Sequence, residues 1–482
     1  MSFSVAYYVK KHMFCFFVFA GLGICSQAIA NTDDWFELFK KNATDKELYS
    51  FLYAMPKGGD LHNHLSGAAF PEWWYEFALA QKSRGFTYYT KVKINNCKPY
   101  GAPEFTGNPY LLMFVNLQNT NYDKLSDCEK SEYVALDKLT NEQKKGWLNS
   151  LRLNGKGEGR DEFFQTHWQR MNDLFLNHEI QAEILVRNMV LFGAEGLSYL
   201  EMDVTPVGVN ADGSFIDPES VLAYYKKRLQ EDDAINSGVT VRFHYALLRF
   251  APNAEAELEK MYRFVDRHRD IYVAIDMVGR EDNDKGHPLR FLPTLRKMRS
   301  QYPDIELSIH AGEVDEPNHH IRNTLLLGAN RIGHGVNLLS DPDTFLLMRH
   351  GPYMVEVNLI SNLLLEYVSD YSEHIFPELL RTEVPVALST DDRGMFDSNI
   401  TDEFFVAVKE FNLSWSEVKK LNMNSLSYGF MNDVVKSRLL GSYEKRIDAF
   451  ENVAKKDVGN VIKGSQPVSY AFTCNRYDLC DF

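Results

Sequence analysis

Seven short apolar or β-branched runs recur along the chain, each separated from the next by room for about one helix. They are Tyr199–Val204, Val239–Leu247, Tyr272–Val278, Ile305–Ile309, Arg331–Ile332, Tyr353–Val357 and Val384–Leu388. The intervening segments, Ala254–Arg267 and Leu289–Ser300 among them, carry helical periodicity. Repeated strand–helix alternation predicts a parallel sheet covered by helices, so the fold class is α/β. With Met55–Leu65 as a first strand the count reaches eight, which predicts a TIM-type (β/α)8 barrel. In such a barrel the chemistry sits at the C-terminal ends of the strands. Two regions stand outside the repeat. Residues 83–160 read as an insertion after strand 1, and the chain from about Thr401 reads as a helical C-terminal extension. Residues 31–482 are therefore expected to form one barrel domain with these additions.

The chain has 482 residues and a formal charge of −14, with 52 Lys+Arg against 66 Asp+Glu. That balance lacks the basic footprint of a nucleic-acid binder. Residues 1–30 read as a signal peptide. Lys10 and Lys11 form the basic start, Met13–Ile24 the apolar run, and Ala28-Ile29-Ala30 the small-x-small cleavage pattern. The run is shorter than the ~20 residues a membrane span needs, and no other stretch is long and apolar enough. A lipoprotein anchor at Cys25 is disfavoured by the bulky Ile24 before it. The mature chain is expected to be exported, to a periplasm or to the outside of the cell.

Cleavage removes Cys15 and Cys25 and leaves Cys97, Cys128, Cys474 and Cys480. An even count in an exported chain suggests disulfides. Of three pairings the local ones, Cys97–Cys128 and Cys474–Cys480, are favoured because each closes a loop-like segment; four free thiols are the alternative. Gly155, Gly157 and Gly159 have neither Rossmann nor Walker spacing, and no strand precedes them, so they read as a solvated hinge or lid.

Four motifs carry chemistry. In Asp60-Leu-His-Asn-His64, two imidazoles two apart would face one side of a strand. Ser308-Ile-His-Ala-Gly-Glu313 ends an apolar strand and places His310 and Glu313 on the functional face. In Arg331-Ile-Gly-His-Gly335 the flanking glycines argue against a packed core His334. Ser389-Thr-Asp-Asp392 puts two carboxylates at a strand end, where burial is costly without a cation. Each motif alone has a plainer reading: polar strand residues, a helix-start carboxylate, a core histidine, an Asx turn. Together they suit a zinc site with one open position and nearby acid–base groups, hence a metal-assisted hydrolase.

Met55-Pro-Lys, Asp60-Leu-His-x-His-Leu-x-Gly67, His310-Ala-Gly-Glu313, Arg331-Ile-Gly-His-Gly335 and Ser389-Thr-Asp-Asp392 resemble the motifs of the adenosine deaminase family, in its order. Ala274-Ile-Asp-Met-Val-Gly279 looks like its strand-four motif. The signal peptide and the cysteine-bearing insertion look like the secreted branch, the adenosine deaminase-related growth factors. The resemblance implies one zinc ion held by His62, His64, His310 and Asp391. It implies that His334 orients and deprotonates the attacking water, and that Glu313 shares a proton with purine N1. Asp392 would bond N7, and the Gly279 backbone would meet N3. Adenosine, and with it 2′-deoxyadenosine, would become inosine products plus ammonia. Ser66 stands where classical members have an Asp for the ribose 5′-hydroxyl, and Leu65 where the secreted branch has an Asp. Trp168 and His244 are the candidates to replace them, with core packing in Phe163–Trp168 the alternative for Trp168. The expected partner is a small purine nucleoside, with no nucleic acid and no membrane span; a homodimer is compatible with the sequence. The competing functions are deamination of another aminopurine, a related metal-dependent amidohydrolase reaction, and non-catalytic adenosine binding.

Overall fold

The computed structural model describes residues 34–98, 111–155, 157–314 and 318–482. The expected signal segment, with Lys10, Lys11 and Cys25, lies outside the described residues. Eight parallel strands form one sheet in the order β1-β5-β6-β7-β8-β9-β10-β11. They are β1 (Gly59–Asp60), β5 (Tyr199–Asp203), β6 (Thr240–Leu248), β7 (Tyr272–Val278), β8 (Glu306–Ala311), β9 (Arg331–His334), β10 (Met354–Val357) and β11 (Val386–Leu388). Helices cover the outer face, so the strands are buried on both faces. This is why they read as unbroken apolar runs rather than alternating ones. The ring closes between β11 and the chain after β1, where Asn63 bridges Asp391 and Asp391 N–H donates to His62 O at 2.9 Å. The architecture is the (β/α)8 barrel with C-terminal helices.

The first strand is far shorter than Met55–Leu65. A helix occupies Asp45–Ala54, and Met55 N–H still bonds back to Phe51 O. Lys57 then buries its ammonium among carbonyls, 2.7 Å from Leu52 O and 2.7 Å from Glu195 O. Burial pushes its pKa down to about 7. This anchor turns the chain, and only Gly59 and Asp60 pair with β5. His62 and His64 therefore lie beyond the strand, in the turn that closes the barrel.

The insertion contains β2 (Tyr88–Lys91), β3 (Asn116–Gln118) and β4 (Tyr133–Ala135), an antiparallel sheet in the order β3-β2-β4. A disulfide joins Cys97 to Cys128 beside it. The sheet braces a wall of the barrel mouth: Gln118 N–H donates to Asp173 Oδ2 at 2.8 Å, and Asn116 Nδ2 donates to Arg170 O at 2.8 Å. At the C-terminus, the helix Trp415–Ser427 packs on β11 and holds β1, with Asn422 Oδ1 and Ser425 Oγ accepting from Gly58 and Gly59 N–H. The tail, joined by Cys474–Cys480, docks Phe472 N–H on Asp397 O at 3.0 Å. Among the described residues no helix is long and apolar enough to cross a membrane.

Candidate active site

Four side chains from two strand ends and the closing turn converge at the mouth of the barrel. His64 Nε2 lies 3.2 Å from His310 Nε2 and 3.1 Å from Asp391 Oδ1, and His62 Nε2 lies 3.5 Å from Asp391 Oδ1. A tetrahedral ion with bonds of about 2.0–2.1 Å separates its ligands by roughly 3.3 Å, which these spacings match. His62 Nε2 is buried without a hydrogen-bond partner. Three imidazoles, one carboxylate and an orphaned ring nitrogen fit a divalent metal of the zinc type.

A carboxylate holds the far nitrogen of each ligand histidine. Glu356 takes His62 Nδ1 at 2.8 Å, Asp203 takes His64 Nδ1 at 2.7 Å, and Asp276 takes His310 Nδ1 at 3.1 Å. These bonds fix each ring with its free nitrogen on the centre. Ser361 Oγ donates to Asp391 Oδ2 at 2.7 Å. Deeper in the barrel, Arg331 reaches Glu356 Oε1 and Glu201 Oε2, both at 2.6 Å, and lies over the Phe430 ring. His62 thus rests, through Glu356, on a buried ion network and not directly on the apolar core.

The opposite side of the centre is a cavity of about 380 Å³. Its apolar wall includes Phe163, Phe164, Trp168, Phe175 and Leu248, and its polar face is Glu313, Asp392 and the backbone at Gly279. Glu313 accepts from Tyr367 O–H at 3.2 Å, and its own N–H donates to Glu281. Burial, with Asp391 and Glu281 nearby, pushes the Glu313 carboxyl up to about 8. Burial and the adjacent Asp391 carboxylate also carry Asp392 well above the carboxylate range. Asp392 Oδ1 has no partner. A Cβ on Gly67 would sit 1.6 Å from that oxygen, so only glycine leaves Asp392 its place. Burial holds the His334 ring neutral, with its pKa lowered to about 4.

The arrangement is a candidate metal-binding corner facing an aromatic-walled cavity, with protonatable groups along one edge. The family model for adenosine deaminase matches residues 151–446. The chain belongs to the adenosine deaminase family. Adenosine deaminase of Aedes albopictus is 28% identical over 258 residues, 51% of this chain and 48% of that protein. The chain thus spans about half the length of that relative. The N6-methyl-AMP deaminase-L of Xenopus laevis is 29% identical over 253 residues, 52% of this chain and 70% of that one. A zinc-bound cog1816 amidohydrolase from Burkhoderia ambifaria superposes with a TM-score of 0.61 at 16% identity, covering 85% of this chain and 95% of that one.

Within this deaminase fold, most residues singled out from sequence meet at one place. His62, His64, His310 and Asp391 form the metal corner; Glu313, Asp392, Gly279 and Trp168 line the cavity. Trp168 stands edge-on to His64, with ring centroids 6.4 Å apart, in a helix that opens into a π-helical turn at Phe163–His167. His244 is the exception. It is 2% exposed and does not line the cavity. Its Nε2 bonds Glu201 Oε2 at 2.8 Å in the Arg331 network below the metal corner. The β6–β7 register shifts between Phe243 and His244. Glu356, Asp203, Ser361 and Asn362 were not singled out. Glu356 had a signal, a carboxylate inside the apolar run Tyr353–Val357. Ser361 and Asn362 had none, because an unremarkable Ser-Asn pair gains meaning only from where its helix points.

Proposed function

We propose that this chain is an exported, zinc-dependent deaminase of purine nucleosides, converting adenosine and 2′-deoxyadenosine to the inosine products and ammonia. The observation that carries the reading is the edge formed by Glu313, Asp392 and Gly279, which lines one aromatic-walled cavity together with residues of the His62–His64–His310–Asp391 corner. Zinc held by those four residues supplies a Lewis-acidic centre that acidifies a water near neutral pH. Glu313, protonated in the neutral range, donates to purine N1 and draws electron density from C6. Asp392, whose carboxyl is raised by burial beside Asp391, bonds N7, and the Gly279 backbone meets N3. His334 orients the attacking water. Water gives its oxygen to C6, the C6–N bond breaks, and the two water protons end on N1 (relayed by Glu313) and on the departing ammonia.

A second cavity of about 240 Å³ opens from the first and shares His64, Trp168, Phe175 and Val278 with it. Its polar lining is Ser66, Gln181, Thr205 and Asp203. Among the described residues lining either cavity there is no Lys or Arg. A neutral, hydroxyl-bearing sugar suits that lining and a phosphate does not. This favours a nucleoside over the nucleotide named for the Xenopus relative. The signal-like Ala28-Ile29-Ala30 and the two disulfides support export.

Ultraviolet absorbance with adenosine, 2′-deoxyadenosine, adenine, AMP and N6-methyl-AMP tests the reading, with Glu313→Ala alongside. The expected result is a shift to the hypoxanthine chromophore with the nucleosides, lost in the variant. Turnover of the nucleotides alone would move the substrate. No turnover of any of the five by zinc-loaded protein would overturn the reaction.

A further inference from the structure

Asn362 and His374 stand behind His334, away from the cavity, and neither touches the metal ligands' ring nitrogens. The Asn362 side chain is fully buried and bridges the two imidazoles, with Oδ1 placed 2.9 Å from His334 Nδ1 and Nδ2 placed 2.9 Å from His374 Nε2. The backbone around it is pinned: Asn362 N–H bonds Asn358 O, and Asn362 O accepts from Tyr367 N–H at 3.0 Å. The bridge has two orientations, because an amide presents an oxygen on one side and an NH2 on the other.

Phe376 decides between them. Its backbone N–H donates to His374 Nδ1 at 3.0 Å, so that nitrogen carries a lone pair. A neutral imidazole then carries its proton on Nε2. Burial keeps His374 neutral, with its pKa lowered to about 3. The Nε2–H points at Asn362, which must meet it with oxygen. The two ends of the Asn362 amide must therefore be exchanged from their placed positions, so that its NH2 is turned to His334 and donates to Nδ1, which leaves the His334 proton on Nε2. That atom is buried, has no hydrogen-bond partner, and faces Glu313 Oε1 and Asp391 Oδ2 at 3.7 Å each.

We infer that the chain Phe376–His374–Asn362 fixes the tautomer of His334, so that His334 meets the reacting centre with an N–H and not with a lone pair. Taken with the proposed deamination, on which this clause alone rests, His334 holds the attacking oxygen by donating to it and does not remove its proton. Asn362 and His374 are positioning residues for that contact. The donor–acceptor logic is that of any histidine whose far nitrogen sets the near one.

The test is a long-range proton–nitrogen correlation spectrum of zinc-loaded protein with 15N-labelled histidine, with His334 assigned by its loss in His334→Gln. The expected spectrum has Nε2 protonated and Nδ1 unprotonated. Asn362→Asp offers only acceptors to Nδ1 and should move the proton there; kcat with adenosine should fall on the order of 10²-fold or more, with KM and zinc content held within about threefold. His374→Gln, which keeps an amide-bonding group at the site, is the second variant should Asn362→Asp fail to fold, and should give a smaller fall. A wild-type spectrum with protonated Nδ1, or a folded Asn362→Asp with kcat within about threefold of wild type, would overturn the inference. If no purine is turned over, the deamination reading falls, and the wild-type spectrum still decides the tautomer.

Discussion

His334 Nε2 lies 3.7 Å from Asp391 Oδ2, and both residues hold left-handed backbone, with φ of 63° and 54°. Non-glycine residues enter that region at a cost of about 1–3 kcal/mol each. Both sit at the end of, or just beyond, a barrel strand, and in both the turn folds the side chain back over the mouth. Gly333 allows the approach, since a Cβ there would lie 2.8 Å from His62 Cε1. The surrounding ladder over-determines the strained pair: Gly335 N–H bonds Ala311 O, and Asp391 N–H bonds His62 O. Backbone geometry therefore contributes to placing His334 and Asp391 at the corner.

Arg331 supports the corner from below. Its guanidinium is buried between Glu201 and Glu356, and Glu356 in turn holds His62. Arg331→Met leaves two buried carboxylates without their cation, which costs about 3–5 kcal/mol. Denaturant unfolding of the variant should lose that much stability. A loss below about 1 kcal/mol would remove Arg331 from this role.

The same network sets a response to acid. Glu201 is held at about 2, against the pull of burial, by Arg331 and by its bond from His244. A carboxyl whose folded pKa lies below its unfolded value of 4.5 stabilises the fold above 4.5, and that contribution is lost as the pH falls toward 2. The urea midpoint of wild type should therefore drop between about pH 4.5 and pH 3. Glu201→Gln, which has no carboxyl to titrate, should be less stable than wild type at pH 6 and approach it at pH 3. Parallel curves for the two proteins would contradict the assignment.

Removal of the metal should be visible in stability as well as activity. The four ligands meet in the folded state only, so an ion bound there adds about 4 kcal/mol when free metal is 1,000 times its Kd. Chelation should abolish turnover and lower the thermal midpoint, and zinc should restore both. His62→Ala should show a low midpoint that neither chelator nor zinc moves. A wild-type midpoint indifferent to chelation would argue that the corner holds no ion.

Legibility from sequence followed the range of the interactions. Barrel strands such as Tyr272–Val278 were visible because burial on both faces writes an apolar run into the chain. His310, Glu313, His334, Asp391 and Asp392 are visible because they end such runs, whereas His62 and His64 are visible only through their own two-apart spacing. The first strand was overextended: the turn at Lys57 depends on carbonyls at Leu52 and, far along the chain, Glu195, and no local pattern carries that. His244 lies outside the cavity lining for the same reason. Its position in β6 is inward, yet the register shift and Glu201 decide which layer it occupies. Asn362 and His374 belong to a hydrogen-bond chain that exists only once the helix Leu359–Leu364 is set, and Glu403 sets it by accepting from Leu359 and Ile360 N–H at 2.9 and 3.1 Å.

The sugar end offers the sharpest test of substrate class. Ser66 Oγ donates to Gln181 Oε1 at 3.2 Å, and Gln181 sits in the first turn of the helix His178–Ala194, 4% exposed. Gln181→Leu keeps the shape and removes both the acceptor and the donor. A lost neutral hydrogen bond is worth about 0.5–1.5 kcal/mol, so KM for adenosine should rise by up to about tenfold. Because the change lies in the second cavity, away from Glu313 and Asp392, kcat should stay within about threefold and kcat/KM for adenine should not move. Thr205→Val should act in the same direction. If Gln181→Leu instead lowers turnover of adenine and adenosine alike, the residue supports the base slot and the second cavity does not hold the sugar.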